Sequence, residues 1–527
     1  MFDWMNRKSE PWSLATLKLP WDTPQSLCEI IINNPRTPLP EEDSGTRIRW
    51  AAGALDGVMG HHAGRGDGVE DVSGVLVSLR ALLAKSSDAN LQKVYDAVCK
   101  APLLGYVDQL LPAIESEFSS DRARLAALAR LFIVNAPRRE AVKFGIAILG
   151  IAGNESDLEV LRKIGVCDEF TLFAAVAIQN VSPAYERDLW ELAKAVEGWG
   201  RIHLIERLAH TEDNEIRAWL LREGYRNAIM DEYVACICAR AGKLDEALRS
   251  SPKDEGLLDS ATDLILAMIT GGPAEDIDDY AHAAEAVEAY LDAVWVQSTF
   301  SPKKFVVVDR VREWLSSSEG WEKRSKCGWS VTNRERCLLL SQELLSREEW
   351  RSEALRNLAS PDASVFHWAN RAARKLGVDT WDVLYAKVEK DPVSSTFWYD
   401  LTEATDGLRI DRLVSFAEHV IPLDEIASGP ADEIGLGPGF GPHSTLDWML
   451  QLLDRFPGKG WGLIRAGLQS PVVRNRNWSP RVFKNWQRDD WPEEAPQVLR
   501  AAANAEPDDK LKKNLEACLE DAKESAP

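Results

Sequence analysis

The sequence predicts an all-α protein, a right-handed α-solenoid in which antiparallel helix pairs stack side by side. Three observations carry that expectation. Apolar residues recur at intervals of three and four along most of the chain, which is the helical period. Six Ser-Pro steps, at Ser182, Ser251, Ser301, Ser360, Ser470 and Ser479, fall mostly between such stretches. Serine caps a helix by accepting from a first-turn N–H, and proline suits the next position, so a step reads as a stop and a restart. Finally, segments echo one another. Leu355, Asp362, Trp368 and Ala372 match Leu384, Asp391, Phe397 and Leu401 at an offset of 29, and Leu358-Ala-Ser-Pro361 returns as Leu468-Gln-Ser-Pro471. A two-helix repeat of roughly 30 to 45 residues marks a solenoid, because one pair cannot bury its apolar stripe alone.

Residues 1–45 read as an N-terminal extension. Pro11, Pro20, Pro24, Pro35, Pro38 and Pro40 break any long helix, while Trp4, Trp12 and Trp21 predict docking on the first helices rather than disorder. Residues 46–250 read as N-terminal helical repeats, with helical stretches such as REAVKFGIAILGIAG and FTLFAAVAIQNV. Residues 251–345 form an acidic helical middle segment, and 346–525 the C-terminal repeats, with a Gly-rich loop at 435–443.

A length of 527 residues exceeds one compact core, so several domains or a solenoid are expected. The net charge of -21 argues against general nucleic-acid or anionic-membrane binding, since both need a positive surface. Eight cysteines form no CxxC pair and read as buried free thiols in a reducing compartment. The first residues, MFDWMNRKSEPW, lack the apolar core of a signal peptide, and no run approaches the ~18 apolar residues of a membrane span. A cytoplasmic protein is expected.

The run Leu463-Ile-Arg-Ala-Gly-Leu468-Gln-Ser-Pro-Val-Val-Arg474 gives a Leu-rich first helix, a polar turn and Val-Arg opening the second. At these residues the chain resembles HEAT-repeat α-solenoids. The part from loop 435–443 through Trp486 also resembles uncharacterised bacterial HEAT-like proteins, some of which carry the label limonene hydroxylase. The resemblance implies a helical-repeat fold over residues 46–525. No flavin, haem or nicotinamide motif accompanies it, and no cofactor is expected.

Charge is segregated. From Asp254 to Pro302 there are eleven carboxylates and no Lys or Arg. From Phe456 to Arg488 there are seven basic residues and no Asp or Glu. Either block can be a solvated helix face. The basic block also interleaves Trp461, Trp478 and Trp486, and Arg and Trp are the residue types that anchor interfaces most often. The blocks can pair within one chain, between protomers of a homo-oligomer, or with an outside partner. Trp461, Arg474, Arg476, Trp478, Arg481, Lys484 and Trp486, with Phe440 of the Gly-rich loop, are the candidate binding residues.

Two segments offer chemistry. Asp56, His61 and His62, followed by Asp67, Glu70 and Asp71, could supply metal ligands or an acid–base pair. Adjacent histidines point apart, however, and Asp67 with Glu70 fits a capping box, so a turn and a cap is the competing reading. The loop Gly435-Leu-Gly437-Pro-Gly439-Phe-Gly441-Pro-His443 precedes a helix, where a Gly-rich turn can cradle phosphate. Its spacing is not G-x-G-x-x-G, and no Lys follows as in a P-loop. The expected function is a non-enzymatic scaffold binding a protein or peptide, acidic in character, along a groove. The alternative is an enzyme, a hydrolase or oxidoreductase of unknown substrate, with its site near the Gly-rich loop or the His61-His62 turn and with His61, His62, Asp56 and His443 as its candidate catalytic residues.

Overall fold

The computed structural model describes residues 12–22, 25–35, 37–40, 42, 51–61, 72–251, 253–297, 299–392 and 395–524. Among these the chain is all-α, and its extended pairing is limited to one isolated bridge between Glu433 and Val472. It divides into two compact units, Met1–Arg347 and Glu348–Pro527. No helix among the described residues is long and apolar enough to cross a membrane.

Unit 1 opens with α1 (Leu27–Asn33), a short helix that the surrounding prolines hide in the sequence. Ser26 caps it by accepting from Glu29 N, and it packs on α6 and α8 defined below. Trp12 donates to Leu82 O at 3.0 Å, and Trp21 stacks against Tyr95 at 5.0 Å. These indoles therefore dock on the helices that follow; Trp4 lies outside the described residues. Next come α2 (Ala54–His61), α3 (Ser73–Ala84), α4 (Asp88–Val98), α5 (Val107–Phe118), α6 (Arg122–Asn135) and α7 (Arg139–Ala152). They are followed by α8 (Leu158–Gly165), α9 (Asp168–Val181), α10 (Tyr185–Ala195), α11 (Trp199–Arg207), α12 (Asn214–Trp219), α13 (Ala235–Ala241) and α14 (Leu244–Ser250). A single π-turn, Leu220–Gly224, continues α12. The unit closes with α15 (Glu255–Thr270), α16 (Ala283–Val296), α17 (Pro302–Ser316), α18 (Trp321–Lys326) and α19 (Val331–Leu345).

The packing order follows from short helices joined by short turns. From α7 to α19 each odd-numbered helix packs on the next odd-numbered one, and α6, α8 and α10 pair with a neighbour in sequence. Between them lies a core of Leu, Ile, Val, Ala and Phe, exemplified by Phe132, Phe144 and Phe170, which are fully buried. All eight cysteines of the chain are unpaired; seven are buried and Cys327 is half-buried.

The acidic segment meets its counterions inside unit 1. Asp254 pairs with Arg222 at 2.6 Å, Asp259 with Lys304 at 2.9 Å, and Glu275 with Arg240 at 2.7 Å. Asp278 pairs with Arg324 at 2.7 Å and Asp292 with Arg336 at 3.1 Å. Asp263 has Lys303, and Glu288 has Arg336. The cations come from elements just before and just after the block, which explains how so many carboxylates share α15, α16 and the connection between them without mutual repulsion.

Unit 2 contains α20 (Glu349–Asn357), α21 (Ala363–Lys375), α22 (Trp381–Lys390), α23 (Ser395–Glu403), α24 (Ile410–Val420) and α25 (Leu423–Ile426). After the Gly-rich loop come α26 (Gly441–Leu453), α27 (Trp461–Leu468), α28 (Val473–Arg481), α29 (Ala495–Ala505) and α30 (Asp509–Glu524). Trp350, Trp381 and Trp398 are fully buried wedges. The last two place their indole N–H on Thr405 Oγ1 and Pro392 O, both at 2.9 Å. Helix α26 packs on α23, α27 and α28, and α28 packs on α30.

The Ser-Pro steps divide into three kinds. Pro252 lies outside the described residues; among the other five steps only Ser301 is a true N-cap with proline at the first helical position, accepting from Lys304 N at 3.2 Å. Ser182, Ser360 and Ser470 each accept from the backbone N–H two residues on, and the helix starts after that turn. Ser479-Pro480 lies inside α28 rather than before a helix.

Candidate peptide-binding cleft

Helix α28 and the turn after it place three of the candidate residues on one cleft. Trp478, Arg481 and Lys484 are spaced by three, so they share a face. Pro480 cannot donate to the helix ladder, and the chain tightens into a 3₁₀ turn over Val482–Lys484. The Arg481 guanidinium sits over the Trp478 ring, 4.8 Å from its centre. With Leu450 of α26, Asp454 just after that helix, Val482 and Asn485, these residues line a cleft of about 330 Å³. Leu450 and Val482 are buried and give it an apolar floor. Asn485 donates to both oxygens of Asp454 at 2.9 Å, which occupies the one carboxylate in the lining. Among the described residues neither Arg481 nor Lys484 has an ion-pair partner, and both side chains are exposed.

The other candidates are engaged elsewhere. Trp486 is buried, donates to Leu453 O at 3.0 Å and packs against Phe483 at 5.5 Å, so it belongs to the core of unit 2 and not to the cleft lining. Trp461 is half-buried, with its indole N–H on Glu494.

Arg474 and Arg476 were expected to face a partner, and the structure corrects this. Arg476 is 1 % exposed. Its Nε and one terminal nitrogen grip both oxygens of Glu506 at 2.8 and 3.0 Å, and its other terminal nitrogen donates to the carbonyls of Ala431, Ser470 and Pro471. Every nitrogen of the fork donates inside the fold. Arg474 donates to Asp447 at 2.9 Å and to the carbonyls of Ile434 and Gly435. The two arginines strap the segment Ala431–Gly435, which leads into the Gly-rich loop, onto α28. Gly435 holds a left-handed φ of 75° there, and a Cβ on it would lie 2.5 Å from Val472.

His443 belongs to the same strap. Asn475 Nδ2 donates to His443 O at 2.8 Å and to Asp447 at 2.6 Å, so its Oδ1 faces the imidazole. His443 Nδ1 then donates to that oxygen at 2.8 Å. Ser470, fully buried, donates to Asn475 Oδ1 at 2.8 Å and accepts from Val472 N. Burial pushes the Asp447 carboxyl up, against the pull of Arg474 and Asn475. Ser470 Oγ also lies 3.2 Å from His443 Nδ1; with that nitrogen donating to Asn475 Oδ1, the serine hydroxyl proton goes to Asn475 as well. His443 is not in the cleft lining. Phe440 is half-buried, its ring 5.6 Å from that of His443.

In unit 1, His62, Asp67, Glu70 and Asp71 lie outside the described residues, and His61 is described only as the last residue of α2. Asp56, by contrast, is buried against groups that the spacing of the sequence motif did not include. Lys143 Nζ lies 2.8 Å from Asp56, 2.8 Å from Glu169 and 3.8 Å from Glu140. Burial opposes the Lys143 charge, but the three carboxylates outweigh it and hold its pKa above the usual value. Burial pushes Asp56 and Glu140 up, against the pull of Lys143. The signal for this cluster was a lone lysine inside the apolar run Val142–Leu149. Among the described residues, no group of three or more His, Cys, Asp or Glu is placed to hold a metal ion. Comparison with protein-family models, curated proteins and solved structures finds no match.

Proposed function

We propose that the chain is a non-enzymatic scaffold, a right-handed solenoid of HEAT-like antiparallel pairs, that binds an acidic protein or peptide segment in the α26–α28 cleft. The observation carrying the reading is the set Trp478, Arg481 and Lys484: an aromatic ring and two exposed cations with no carboxylate partner among the described residues, above an apolar floor. Such a surface suits a segment that places an apolar side chain on the floor and carboxylates against the cations. The next-but-one packing from α7 to α19 supports a stacked array of helix pairs. Unpaired thiols fit a reducing cytoplasm. The enzyme alternative has less support, because His443 and Ser470 spend their hydrogen bonds on the strap.

The test is fluorescence anisotropy of a labelled Asp/Glu-rich peptide carrying one leucine, titrated with the full chain. Arg481→Glu with Lys484→Glu should weaken binding at least about tenfold and flatten its salt dependence. Unchanged affinity in the double variant would remove the cleft from the function.

A further inference from the structure

We propose that unit 1 carries a separate ligand site, a cleft for a small molecule bearing an oxyanion group, where α12 and its π-turn meet α14. The cleft holds about 360 Å³, within the range of small-molecule sites. Arg217, Arg222 and Lys243 contribute to its wall, against one carboxylate, Glu246. That is a local positive excess in a chain of net charge -21. Two of the three cations, Arg217 and Lys243, are also loosely committed. Arg217 donates through Nε to Thr211 O at 3.0 Å, and its two terminal nitrogens have no hydrogen-bond partner among the described residues. Lys243 meets Glu246 at 3.1 Å in an exposed pair, the kind that a ligand anion displaces at little cost. Arg222 is braced by Asp254 at 2.6 Å, which orients its guanidinium at the cleft edge.

Two backbone irregularities converge on this place. The π-turn Leu220–Gly224 supplies Leu221 and Arg222 to the wall, and such turns occur often at functional sites. Lys243 is the only residue besides glycine with positive φ among those described, at φ 55° and ψ 60°. It follows the end of α13, where glycine is the usual left-handed residue. The glycine next to it, Gly242, is used differently: a Cβ there would lie 2.4 Å from Leu221 of the π-turn. The chain thus closes the cleft wall with Gly242 and sets a lysine, at a cost in strain, on the adjoining position.

Calorimetric titration of the full chain at low salt, with pyrophosphate and separately with succinate, tests the site. Submillimolar binding of pyrophosphate alone identifies a phosphate-bearing ligand, and of succinate alone a carboxylate; either supports the site. Arg217→Ala should weaken that binding at least about tenfold. Lys243→Gly should weaken binding and raise the melting temperature together, because glycine relieves the left-handed strain. A lysine of merely structural effect would give the higher melting temperature with binding intact. Half-buried Arg310, outside the cleft, provides the control. No binding of either probe below about 1 mM, unchanged binding in both cleft variants, or equal weakening by Arg310→Ala would overturn the proposal. Neither cleft variant touches Trp478, so failure here leaves the reading of unit 2 standing.

Discussion

Lys143 lies in the apolar run Ala141–Leu149 of α7 and is 3 % exposed, so its charge has to be met by other helices as well as its own. Asp56 comes from α2, Glu169 from α9 and Glu140 from the turn before it on α7. Removing the ammonium leaves three carboxylates in a space that cannot hydrate them. Lys143→Met is therefore expected to cost about 3–5 kcal/mol, read as a lower urea midpoint by circular dichroism. A loss below about 1 kcal/mol would mean that the carboxylates reach protons or water instead. Sequence spacing drew attention to Asp56 for its histidine neighbours, but its actual partners are distant in the chain and meet it only through tertiary packing. Arg476 teaches the same lesson. A basic block with tryptophans reads as a surface, and burial is set by Glu506, thirty residues further on. Trp478, Arg481 and Lys484 were legible because their relation is local, a spacing of three on a helical face.

Caps discriminate among elements that the sequence makes look alike. Ser301 satisfies a first-turn N–H of α17 directly, so Ser301→Ala should lower stability by about 1 kcal/mol. Ser360 serves the turn before α21, whose cap is Asp362, so Ser360→Ala should cost clearly less. Paired thermal melts check the order, and equal losses would contradict the cap assignment. The echo between residues 358–361 and 468–471 is structural: each starts with a buried leucine, makes the same serine turn and opens a helix. The echo at an offset of 29 is not. Asp362 starts α21 whereas Asp391 ends α22, and Leu355 is 45 % exposed where Leu384 is buried. Helices were legible because their apolar period is a local property. Helix α1 was not, since a short helix between prolines shows fewer than two full periods.

Each unit of the molecule has its own core and its own counterions. The acidic segment is matched inside unit 1, and the basic segment of unit 2 uses Asp411, Asp447 and Glu506. Charge segregation along the chain is thus largely a consequence of which neighbouring helix supplies the partner. A fragment spanning Glu348–Pro527 is expected to fold alone, with a cooperative melt and helical circular dichroism. A broad, non-cooperative melt would show that it depends on unit 1. The fragment should also retain the cleft, whose described lining lies wholly within it.

The buried grip of Arg476 on Glu506 carries a genetic consequence. A stop codon placed just ahead of position 506 would spare every residue of the α26–α28 cleft and most of the coding sequence. It would nevertheless strand a guanidinium in the interior beneath Ala431, Ser470 and Pro471, and release the loop that they anchor. Late truncations of this gene should therefore behave as loss of the whole cleft, not as loss of a dispensable tail.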